Sequence, residues 1–173
     1  MAELKTKKTT VSPLKFIASV TDPEKQTDSK ALLALFKEVT QMPPKMWGET
    51  GVGPRRKGGG ASAPSRGRAK SQQRLMGDRG IIGFGSYHYE STRSSQKGDW
   101  PLTGFSPRKQ NLTIYIMPGF KDYGALLMKL GKHTISGGSC IYIKRLSDIH
   151  QPTLKMIIKK SVAEMRRRYP SAH

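Results

Sequence analysis

One stretch of this chain cannot contribute to a core, and it limits what the rest can become. Residues 51–80 read GVGPRRKGGGASAPSRGRAKSQQRLMGDRG, with eight glycines, two prolines and only Val52, Leu75 and Met76 as large aliphatic side chains. Such a segment buries too little apolar surface to offset the entropy of ordering it. Structureless stretches of this length are unusual inside a compact domain. The block therefore reads as a disordered, basic insertion, and any fold must be assembled from the residues on either side of it.

The block also divides the charge. The 173 residues hold 31 Lys and Arg against 12 Asp and Glu, a net +19. A charge of that size raises the question of nucleic acid. The block holds eight basic side chains and one acidic, +7, which leaves +12 on the rest. Two readings of it stand. It is a flexible arm that lays Arg55, Arg56, Lys57, Arg66, Arg68, Lys70 and Arg74 on phosphate backbones, or it is an inserted linker whose charge keeps it soluble.

Several classes are excluded. No apolar run approaches the length of a membrane-spanning helix, so no membrane partner is expected. Met1-Ala2-Glu3-Leu4-Lys5 leads into polar residues, unlike a signal peptide. The single cysteine, Cys140, excludes an internal disulfide and a CxxC metal site. A cytoplasmic protein in a reducing compartment is expected.

Residues 1–11 read as a flexible basic tail, and 12–50 with 81–170 as one domain. Ser12-Pro13 resembles a cap followed by proline at the first helical position. It predicts a short helix over 13–20 that buries Leu14, Phe16 and Ile17 and ends at Asp22-Pro23. Leu32, Leu35, Phe36 and Val39 recur at helical spacing, predicting a helix over 28–42 with Thr27, Asp28 or Ser29 as its cap. Strand-like runs follow at 82–91, 101–106 and 112–117, then a helix over 120–130 closed by Gly131. A fourth strand spans 139–145. A last helix over 151–169 has Leu154, Ile157, Ile158, Val162 and Met165 on one face, with Arg166, Arg167 and Arg168 suiting its C-terminal dipole. This order implies an α+β fold, an antiparallel sheet of about four strands with helices packed on one face.

Strand alternation sorts the side chains. Leu112, Ile114 and Ile116 share one face, as do Ile141 and Ile143, and these should meet the helices. The opposite face collects Tyr87, Tyr89, Tyr115, Tyr142, Cys140 and Lys144. A tyrosine-lined face flanked by cations suits a base or another planar ligand, a dimer interface, or simply a half-exposed surface of ordinary strand formers.

Catalytic signatures are missing. His88, His133, His150 and His173 have no partner at metal-ligand spacing, and GxSxG, HExxH and CxxC do not occur. The glycines near Lys57 follow no apolar strand, and Gly83-Phe84-Gly85 lies inside a strand pattern, so neither makes a phosphate loop. Cys140 reads as a buried, inert thiol. No enzymatic role and no particular cofactor is implied.

The run Met46-Trp47-Gly48-Glu49-Thr50, continued by Ile81-Ile82-Gly83-Phe84-Gly85-Ser86-Tyr87-His88-Tyr89, resembles the central motif of the YdhG-like family, small bacterial domains of unknown function. Gly98-Asp99-Trp100-Pro101, Gly104-Phe105-Ser106-Pro107-Arg108-Lys109, Leu130-Gly131-Lys132-His133 and the strands at 112–118 and 139–146 extend the resemblance over about 27–169, apart from the insertion. Joining Thr50 to Ile81 restores the family's pattern. The resemblance implies a fold distantly similar to frataxin and, for one branch of the family, an iron-chaperone role. It gathers Trp47, Tyr87, His88, Trp100, Arg108 and Lys109 as one candidate site, with the last two suited to an anion. The expected partner is a small anionic molecule or a metal. Nucleic acid held by the block and the Tyr/Lys/Arg face is the alternative, and a homodimer joined through that face is another.

Overall fold

The computed structural model describes residues 6–48, 80–90 and 97–173. Strand β1 (Lys7–Thr9) precedes helices α1 (Pro13–Ala18) and α2 (Pro23–Thr40). Strands β2 (Pro44–Gly48), β3 (Ile81–Phe84), β4 (Tyr87–Glu90), β5 (Lys97–Trp100), β6 (Thr103–Pro107) and β7 (Leu112–Ile116) follow. Helix α3 (Gly124–Leu130), strands β8 (Thr134–Ser136) and β9 (Cys140–Ile143), a 3-10 turn (Leu146–Asp148) and helix α4 (Gln151–Arg168) complete the chain.

The α+β class holds, but the sheet is wider than four strands. Seven antiparallel strands run in the order β1-β2-β3-β6-β7-β9-β8, and β4 and β5 form a separate hairpin. Strands β1 and β8 have three residues each, too few for alternation to register. The run read as one strand over 82–91 breaks at Gly85. Its φ is +66°, and a Cβ there would come within 2.6–2.7 Å of Leu102, Met42 and the His173 carbonyl. Glycine tolerates both conditions. The chain turns there, and β4 leaves the main sheet.

One cross-strand row carries the core. Met46, Ile82, Phe105, Ile114 and Ile141 stand opposite one another on five neighbouring strands, each buried. Leu32, Leu35 and Phe36 of α2 and all five expected apolar residues of α4 are buried in the same cluster. Phe36 lies between Phe84 and Phe105, with ring centroids 5.2 and 5.3 Å away.

Helix boundaries moved for local reasons. Asp22-Pro23 opens α2 rather than closing α1. The Asp22 carboxylate accepts from the N–H groups of Glu24 and Lys25, at 3.0 and 3.2 Å, and proline at the first position gives up a donor with no intrahelical partner. Thr27, Asp28 and Ser29 therefore lie inside the helix. Asp28 instead accepts from Arg145 Nε at 2.8 Å and from the Leu146 N–H at 3.1 Å, tying α2 to the end of β9. In α1, Phe16 and Ile17 are buried but Leu14 is 61% exposed. Helix α3 starts at Gly124, and Phe120 precedes it, edge-on to the buried Tyr123. Gly131 ends α3 at φ +102°, where a Cβ would meet the Asp148 carbonyl at 2.6 Å.

The register sets Trp47 opposite Ile81. Excising 51–79 leaves Gly48, Glu49, Thr50 and Gly80 as a four-residue hairpin loop, a length antiparallel strands close readily. That variant is expected to keep the parent's far-UV circular dichroism and unfold at nearly the same temperature. Removing Gly80 as well puts Thr50 where a Cβ comes 2.9 Å from the Phe16 ring, and should lower the melting temperature. A chain that fails to fold without 51–79 would make the block structural.

Candidate functional site

Because Met46 faces the helices, its neighbour Trp47 lies on the opposite side of the sheet. The indole rests on Gly83. A Cβ there would come within 2.6 Å of Trp47 Cδ1 and Nε1 and of Pro101 Cβ. The Gly83-Phe84-Gly85 run thus serves close packing at its first glycine and a turn at its last. Trp47 is 1% exposed, and its Nε1–H has no acceptor among the described residues. A buried donor left so is costly.

Strand β1 supplies the other wall. Lys8 stands opposite Trp47 in the register, with Nζ 5.1 Å from the ring centroid, a cation–π contact. The same ammonium donates to Ser86 Oγ at 3.2 Å. Beside this pair opens a cleft of about 290 Å³ lined by Thr6, Lys7, Lys8, Trp47, Lys97, Gly98 and Asp99. Among the described residues, three lysines and one aspartate line it. Asp99 is itself held by His88, whose Nδ1 lies 3.1 Å from Asp99 Oδ1 and whose Nε2 lies 3.7 Å from Glu90.

The residues expected to form one site divide into three groups. Trp47 and, through Asp99, His88 belong to the cleft. Tyr87 and Trp100 pair across the hairpin and pack on the core. Tyr87 is buried with its ring 4.6 Å from Tyr169, and burial first, then Tyr169 and Tyr89, holds its hydroxyl pKa far above the ordinary value. Tyr89 is half-buried against the same cluster. Tyr87 and Tyr89 therefore do not join the tyrosine face, because Gly85 turns their strand out of the main sheet.

Arg108, Tyr115, Cys140 and Tyr142 form the third group, at the other end of the open face. Arg108 Nη2 donates to the Tyr115 hydroxyl at 2.8 Å. Tyr115 stands opposite Cys140, and Thr113 opposite Tyr142, so the two tyrosines are diagonal neighbours. Cys140 is half-buried rather than buried. Its thiol is the first cause that raises the Tyr142 hydroxyl above its ordinary pKa, followed by burial, a hydrogen bond to Cys140 and Tyr115, with Arg108 opposing. Lys144 is exposed one step beyond the strand. Lys109 is exposed, and its carbonyl accepts from the buried Lys25 ammonium at 2.7 Å.

Lys7, Lys8 and Lys97 were missed. Reading 1–11 as a tail hid two of them, although Thr9-Thr10-Val11 is a β-branched run of the kind strands favour. Arg55, Arg56, Lys57, Arg66, Arg68, Lys70 and Arg74 lie outside the described residues. Among the described residues no three His, Cys, Asp or Glu side chains gather to hold a metal ion, and no helix is long and apolar enough to cross a membrane. Asp28 is engaged by Arg145, and Glu38 accepts from Lys155 at 2.7 Å. Comparison of the chain with family models, with curated proteins and with solved structures finds no match.

Gly83→Ala should overpack the indole against β3 and cost about 1–3 kcal/mol. Adding Trp47→Phe should recover part of that loss, so a double-mutant cycle will show coupling. Additive losses in chemical denaturation would mean that Trp47 does not rest on Gly83.

Proposed function

We propose that this chain is a binding domain of the YdhG-like kind that takes a small anionic ligand in the cleft beside Trp47. The observation that carries this reading is the lining of the cleft, three lysines to one aspartate among the described residues around about 290 Å³. That volume sits at the lower edge of ordinary ligand sites, which favours a small metabolite over a dinucleotide. Lysine presents a compact charge on a flexible stem, so it adapts to a carboxylate or a phosphate without demanding one geometry. Trp47, buried against Gly83, fixes the Lys8 ammonium that lies over its ring at the edge of the cleft.

An anion fits this lining better than a cation. Among the described lining residues a cation would have Asp99 as its one carboxylate, beside Lys7, Lys8 and Lys97. Lining Lys and Asp residues also make affinity sensitive to salt, since ions screen exposed charges beyond about 8–10 Å at physiological strength.

Thermal unfolding of the full chain in inorganic phosphate, citrate or a nucleoside monophosphate, at fixed ionic strength, tests the reading. A ligand at about 100 times its Kd stabilises by about 2.7 kcal/mol, roughly 5–10 °C for a chain of this size. Lys8→Gln with Lys97→Gln should abolish the shift. Equal shifts from sodium chloride of matched strength, or an undiminished shift in the double variant, would refute it.

A further inference from the structure

The far end of the open sheet face has a different chemistry from the cleft. From the Arg108 and Tyr115 contacts and the register of β7 and β9, we infer that Tyr115 and Tyr142 form a stacking platform for single-stranded nucleic acid, with Arg108 and Lys144 receiving its phosphates.

The placement of the rings comes first. Tyr115 and Tyr142 project from adjacent strands on the face opposite Ile114 and Ile141. Diagonal neighbours of this kind lie about 7–8 Å apart, so each ring can take a separate base. Both tyrosines are partly exposed, and Thr113, opposite Tyr142, is buried beside them. Tyr115 is held from its hydroxyl by Arg108, and Arg108 is itself fixed by its backbone N–H, which donates to the Asn111 carbonyl at 2.8 Å. The guanidinium has five donors and spends one on Tyr115, so it can also contact a phosphate beside a stacked base.

Charge chooses the occupant. Between Pro101 and Ser147, the stretch that supplies β6, β7, β9 and their connections, Asp122 is the one acidic residue, against Arg108, Lys109, Lys121, Lys129, Lys132 and Lys144, while Arg145 is engaged by Asp28 and Glu24 of α2. On this face Arg108 and Lys144 flank the tyrosines, and a second copy of this chain would set these cations against themselves. A polyanion with planar groups matches both the charge and the rings. Duplex is disfavoured, because its bases are already stacked and its faces are hidden.

Fluorescence anisotropy of the full chain with labelled oligouridylate, oligothymidylate, an abasic strand of equal length and a duplex of equal length tests the inference. Strands with bases should bind about tenfold or more tighter than the abasic strand, since stacking is worth roughly this factor per ring. Tyr115→Leu and Tyr142→Leu should each reduce that advantage, and Arg108→Gln should lower the salt slope by about one. The abasic comparison uses the unaltered chain, so a variant that misfolds leaves the test standing. Equal affinity for abasic and base-bearing strands, or unchanged preference in both tyrosine variants, would overturn the inference. So would a dimer in light scattering that Tyr142→Arg dissociates. Uridylate and thymidylate compared directly separate RNA from DNA.

Discussion

The row Met46, Ile82, Phe105, Ile114 and Ile141 is the constraint from which the other features descend. Burying each of these side chains contributes about 1.5–3 kcal/mol, on the order of 10 kcal/mol for the row. That is comparable to the whole net stability of a typical domain. Strand side chains alternate with a period of two, so a slip of one residue would turn the entire row to the wrong side. The register is therefore fixed by the core, and everything on the opposite face follows by parity. Trp47, Gly83, Gly104, Tyr115 and Cys140 face away from the helices because their neighbours face toward them.

That parity produces two unlike surfaces on one sheet. At the β1–β2 end, an indole pressed onto Gly83 leaves no room for a second side chain, and lysines gather at its margin. At the β7–β9 end, where α3 and α4 lie on the other side, the face is left to two tyrosines and an arginine. The Asp28 carboxylate, bound to Arg145 and the Leu146 N–H, holds α2 against the exit of β9. The helical layer and this end of the sheet are thereby joined by a charged contact as well as by apolar burial.

The parts of the fold legible in the sequence were those with long periodicity. Helix α4 shows five apolar residues at helical spacing and was found with its buried face intact, and Leu112, Ile114 and Ile116 were placed correctly on the helix side. Short elements were not legible. Strands β1 and β8 hold three residues each, and their pairing is decided by partners distant in the chain. Asp22-Pro23 fits both a helix end and a helix start, and only the two hydrogen bonds to its carboxylate distinguish them. The candidate site was legible in its residues but not in their grouping. Gly85 separates Tyr87 from Tyr115, and a single positive φ cannot be read from a glycine inside a strand-like run. Trp47 was singled out, but the lysines around it come from a tail and from a hairpin that only the register brings together.

The lysine-rimmed cleft beside Trp47 is proposed as the site of a small anion. The indole N–H resonance of Trp47 reports on it directly, since the chain has only one other tryptophan, Trp100. In a heteronuclear NMR titration of the full chain with inorganic phosphate at constant ionic strength, the Trp47 indole signal should move saturably, together with the amides of Lys8, Lys97 and Gly98, while Trp100 stays nearly still. A Trp47 signal that does not move, or a linear drift shared by every surface amide, would contradict anion binding in the cleft.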